Sequence, residues 1–79
     1  MIASLRGIVT DISGSDVVLE VNGLGYLVTV PDRSALRMAS GEEVHVFTSM
    51  VVRDDHVALF GFESREELSL FALLRSVTG

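Results

Sequence analysis

Asp54, Asp55 and His56 follow one another in the stretch MVVRDDHVALFGF (Met50 to Phe62). Two carboxylates and an imidazole are groups that bind divalent cations, and Glu66 and Glu67 come shortly after. Consecutive strand residues point to opposite faces, however, so three neighbours converge on one ion only through an unusual loop. No second ligand cluster at helical spacing supports them, which makes a small metal-dependent enzyme built on Asp-Asp-His the third-ranked interpretation. Gly23-Leu24-Gly25 matches the opening of a nucleotide-binding loop, but that loop needs a following helix to meet the phosphates, and here a strand pattern follows. No Ser/His/Asp or Cys/His nucleophile set can be assembled, and His45 falls on a strand face directed to solvent. The residues give no enzyme signature and imply no cofactor, no metal and no small-molecule substrate.

Charge narrows the partners. The chain has 79 residues, eleven carboxylates and six basic residues, all arginine: Arg6, Arg33, Arg37, Arg53, Arg65 and Arg75. They are scattered singly, so this chain alone lacks the basic stripe that neutralises phosphates. Stacking of single-stranded bases needs aromatics in a positive groove. Tyr26, Phe47, Phe60, Phe62 and Phe71 have no lysine beside them and mostly occupy core-facing patterns. The absence of cysteine suits a reducing compartment, and neither a signal peptide nor an apolar run of ~18 residues is present, so a cytoplasmic location with no membrane partner is expected.

The elements around these residues follow from periodicity. Leu5, Ile8, Val9 and Ile12 mark a first strand over Ser4 to Ile12, with a bulge or bend expected at Gly7. SGSD (Ser13 to Asp16) is a turn, Val17, Leu19 and Val21 alternate in a second strand, and NGLG (Asn22 to Gly25) closes it before a third over Tyr26 to Val30. Pro31 ends that strand, and Asp32 to Ser40 suits a turn or two of helix. A fourth strand runs from Val44 to Val52 and a fifth from His56 to Phe62. Ser64 and Glu67 have capping-box spacing ahead of Leu68, Leu70, Phe71, Leu73, Leu74 and Val77, so a helix starts near Ser64. Its apolar residues exceed one stripe, which implies contact with another domain or subunit. The sum is a mainly β fold, a small five-stranded Greek-key barrel of OB type with a short helical insertion and a C-terminal helix.

Asp54 and Asp55 thus stand at a hairpin tip. A solvated turn accounts for them, since Asp is common in turns. Two features favour a second role: two-residue hairpins prefer Asn-Gly or Asp-Gly, and adjacent like charges repel.

The segments FTSMVVRDDHVALFGF (Phe47 to Phe62), MIASLRGIV at the start and VNGLGY (Val21 to Tyr26) resemble, in order and along the whole chain, the N-terminal domain of the RuvA family of bacterial Holliday-junction-binding proteins. The resemblance implies an OB-fold first domain, residues 1–63, of a three-domain subunit that assembles as a four-fold symmetric homotetramer on an open four-way DNA junction. It implies a non-catalytic subunit that recruits the hexameric RuvB ATPase, the motor of branch migration in recombination and repair. In that family the acidic turn carried here by Asp54 and Asp55, flanked by Arg53, is a pin directed at the junction centre.

Two departures stand out. Where the family commonly carries Glu, this chain has Asp54, with the same charge and a shorter reach. Residues 64–79 form a helix leading toward helix-hairpin-helix motifs that grip DNA and a third domain that binds RuvB, and both are expected beyond Gly79. A free-standing OB-type module that binds protein or oligonucleotide is the runner-up.

Overall fold

Two tight turns shape the first part of the chain. In the computed structural model, which describes residues 1–78, β1 (Ser4–Ser13) pairs antiparallel with β2 (Asp16–Val21), and β2 with β3 (Leu24–Thr29). Asn22 and Gly23 have φ of 52° and 85°, the two positive values that a type I′ hairpin demands. Because that loop takes only two residues, pairing resumes at Leu24, two residues before the strand start expected at Tyr26. The extra residue in β1 also lies elsewhere than expected: the register shifts between Val9 and Asp11. Gly7 serves close approach instead, since a Cβ there would sit 2.6 Å from the Glu20 carbonyl oxygen and 2.9 Å from Val21 Cγ2.

Pro31 ends the meander and caps α1 (Asp32–Arg37), its carbonyl accepting from the Ser34 and Ala35 amides at 2.9 and 3.1 Å. The helix stops at Met38, before the expected Ser40, because Met38 turns extended to bury its side chain in the core. β4 (Glu43–Val52) then returns beside β1, and β5 (Val57–Phe62) pairs antiparallel with β4. A short parallel pairing of β5 with β3, at Thr29 and Phe60, closes the barrel in the order β1-β2-β3-β5-β4. This is the five-stranded OB-type barrel.

The interior is aliphatic. Val9, Val17, Leu19, Val28 and Val46 have no exposed surface, and Ala35 and Met38 of the α1 region join the same cluster. Gly61 faces these residues. A Cβ on it would lie 2.6 Å from Val28 Cγ1 and 3.2 Å from Val46 Cγ2, so only a missing side chain lets β5 come this close.

Since Gly61 points inward, Phe60 and Phe62 point outward, and α2 (Arg65–Thr78) lies across them. Phe71 meets the Phe60 and Phe62 rings at centroid distances of 5.2 and 5.0 Å. Val51, on the same outer face of the β4–β5 hairpin, is buried. Phe60, Phe62 and Phe71 therefore form a second apolar layer between hairpin and helix, while Tyr26 packs half-buried against the barrel core as its pattern leads one to expect. Phe47, opposite Phe62 in the β4–β5 ladder, lies against His45 and under the Arg65 guanidinium, 4.8 Å from each. Helix α2 starts where the capping spacing places it, with the Glu67 amide donating to Ser64 Oγ at 3.2 Å. The reciprocal half of the box is replaced, because the Glu67 carboxylate accepts from Arg33 on α1.

Three changes test this packing. Gly61→Ala forces a methyl into space filled by the Val28 and Val46 side chains and should lower unfolding free energy by ~1–3 kcal/mol, read as a reduced urea midpoint; an unchanged midpoint would mean that β5 and the two valines give way freely. Cutting the chain before Ser64 should lower the melting temperature and promote aggregation, as it uncovers Phe60 and Phe62. Phe71→Ala alone should cost roughly 2 kcal/mol, below the ~3–5 of a fully buried ring.

Candidate functional site

The β4–β5 ladder runs from Phe47 opposite Phe62 out to Val52 opposite Val57. Past that pair the Arg53 amide donates to the His56 carbonyl at 2.8 Å, which leaves Asp54 and Asp55 as a two-residue tip. Neither aspartate has a positive φ. Types I′, II′ and II each need one, so the tip is confined to turns whose twist matches the flanking strands less well. The Asn22–Gly23 hairpin shows the favoured solution at the same loop length in the same chain. Ease of turning therefore does not by itself account for the aspartates.

Arg53, Asp54, Asp55 and His56 are all exposed. Asp55 Oδ1 lies 2.9 Å from His56 Nδ1, with these side chains 90% and 63% exposed, so water and salt screen the contact. The tip presents two carboxylates to solvent beside the single guanidinium of Arg53. Glu66 and Glu67 stand near the far end of β5, about 17 Å of strand away at ~3.4 Å per residue. Glu67 pairs with Arg33 and Glu63 with Arg37, tying α1 to the α2 region. Among the described residues, no group of three or more His, Cys, Asp or Glu could hold a metal ion.

Two residues beside the tip were not singled out from sequence. Val52 and Val57 face each other directly below the aspartates and are 70% and 59% exposed. Their place at the outer end of two alternating strands was the available signal, but alternation does not show where the barrel beneath them stops. A surface concavity of about 530 Å³ near Ile12, Ala35 and Leu36 holds a Ser15–Asp32 hydrogen bond but no imidazole to activate the hydroxyl. Among the described residues, no helix is long and apolar enough to cross a membrane.

The family model for the RuvA N terminal domain matches residues 1–61, which span nearly the whole barrel and its β4–β5 hairpin. The chain belongs to the RuvA N-terminal domain family. Relatives called "Holliday junction branch migration complex subunit RuvA" align with all of it. The protein of Clavibacter michiganensis subsp. michiganensis is 52% identical over 79 residues, which are 37% of its length. Those of Corynebacterium glutamicum (strain R) and Rhodococcus erythropolis are 44% and 42% identical, with 38% and 40% of their lengths covered. The chain thus spans about two fifths of the curated relatives it matches, and the RuvA N-terminal barrel accounts for most of that span.

Exposed turn residues rarely govern stability, and removing adjacent like charges relieves repulsion. Asp54→Asn/Asp55→Asn should therefore leave the far-ultraviolet circular dichroism and the urea midpoint unchanged. A clear loss of stability would show that the carboxylates serve the fold.

Proposed function

We propose that this chain is the first domain of a junction-recognising RuvA subunit and that Asp54 and Asp55, flanked by Arg53, form an acidic pin at the centre of a four-way DNA junction. The observation that carries the proposal is the exposed pair of carboxylates at the tip of a projecting hairpin whose turn geometry does not call for them. In a four-fold homotetramer, two aspartates from each subunit converge where the strands exchange. Phosphates of the same sign surround that point. A continuous duplex crossing the centre is disfavoured, while an open junction directs its phosphates around the charge, so repulsion supplies discrimination.

The net charge of -5 and the scattered arginines support a division of labour. Residues 1–63 supply the pin and subunit assembly. Residues 64–79 lead into helix-hairpin-helix motifs that grip the DNA backbone, and the exposed Leu70, Leu73, Leu74 and Val77 along one side of α2 support contact with such a following domain. A third domain recruits the RuvB hexamer, whose ATPase drives branch migration in the cytoplasm; the RuvA subunit itself is non-catalytic.

Residues 1–79 alone should bind neither duplex nor junction DNA appreciably near physiological salt, because phosphate neutralisation supplies most non-specific affinity. Micromolar junction binding by this chain in a gel-shift titration would contradict the division of labour. In the complete subunit, Asp54→Asn/Asp55→Asn should raise affinity for duplex more than for junction. The difference should shrink as salt rises, since the Debye length is ~8 Å at physiological ionic strength and shorter above it. Unchanged discrimination in a folded, tetrameric variant would return the aspartates to an ordinary turn.

A further inference from the structure

We infer that Val52 and Val57 form an apolar seat for the unstacked faces of nucleobases at the point of strand exchange. The inference rests on the pin placement proposed above. The pair is the outermost rung on the inner face of the hairpin: Thr48 and Gly61 lie in the barrel, Met50 and Leu59 are half-buried at its mouth, and Val52 and Val57 stand clear of it. The opposite face of the same strands is covered by α2 through Phe71. One face of the projecting segment is thus apolar and open, immediately below two carboxylates.

The chemistry selects the occupant. Where four arms meet in an open square, the innermost base pair of each arm has no neighbour stacked on its central side, and that side is a neutral, apolar π surface. The carboxylates of Asp54 and Asp55 repel phosphates, so the part of the DNA able to lie against the valines is the base. Apolar side chains placed against or between base steps are an established mode of protein–DNA contact. Valine suits it because branching at Cβ holds χ1 nearly fixed and leaves little side-chain freedom to lose. A second copy of the chain is a poorer occupant, as two valines offer far less than the ~800 Å² per partner of a stable interface.

The test uses the complete subunit with Val52→Thr/Val57→Thr, which keeps shape and strand preference while making the pair polar. Junctions carrying 2-aminopurine beside the crossover report base stacking through emission, and parallel titrations give junction and duplex affinity. Junction affinity should fall roughly three- to tenfold with duplex affinity within about twofold, as expected for loss of apolar contact at two positions. The emission increase on binding should drop toward that of the free junction. Val52→Ile/Val57→Ile, apolar and strand-compatible, should retain both signals and controls for misfolding of the threonine variant. Equal affinity and emission for the threonine variant and wild type would overturn the inference, as would a loss of affinity that follows dissociation of the tetramer in light scattering. Asp54→Asn/Asp55→Asn measured alongside separates the two levels: if it alters discrimination while the threonine variant does not, the pin stands and the valine seat falls.

Discussion

Closure of the barrel depends on β5 approaching β3 closely enough to pair, and that approach is set by the bare Cα of Gly61. The pairing is brief, at Thr29 and Phe60, and parallel, whereas every other contact in the barrel is an antiparallel ladder of five or more residue pairs. Where Gly61 faces inward, Val28 and Val46 occupy the space a side chain would take. If the seam opened, β3 and β5 would become unpaired edges with free backbone groups, the arrangement that small β proteins must avoid. The same residue fixes the outward direction of Phe60 and Phe62, and so creates the apolar layer that α2 covers.

A division of surfaces along the β4–β5 hairpin follows. Near the barrel its inner face is core and its outer face is covered by the helix, so these strands are packed on both sides. Toward the tip the barrel ends first, exposing Val52 and Val57, and then the turn exposes the aspartates. Burial falls to nothing over a few residues, which lets the tip sequence vary without a cost to folding. Charge can collect there because nothing apolar has to be satisfied.

Much of this architecture was legible in the sequence because it is written in local signals. Strand alternation, the Asn22–Gly23 turn, Pro31 and the Ser64 cap each act within a few residues, and each lies where the periodicity places it or within a residue or two. The misplaced details depend on distant contacts. Gly7 looked like a bend because a glycine in a strand is ambiguous until its neighbour, here Glu20 of β2, is known. Phe62 is buried as its pattern implies, but beneath α2 and not inside the barrel, because a two-residue period names two faces without saying which one turns inward. The tip was found as a hairpin from sequence, but its departure from the preferred turn types and the bare valine pair beneath it emerge only when the ladder register and the barrel rim are known.

The joint between Phe71 and the outer face of the hairpin makes α2 and the acidic tip two ends of one stiff body. The helix grips the strands through rings wedged over Phe60 and Phe62, while the tip extends from those strands with no flexible linker between. Those two strands are also part of the barrel wall, β4 laddered to β1 and β5 paired with β3, so the barrel, the helix and the base of the hairpin are joined in one packed unit. The direction in which the aspartates point is therefore set by the barrel and the helix together, through the register of the β4–β5 ladder.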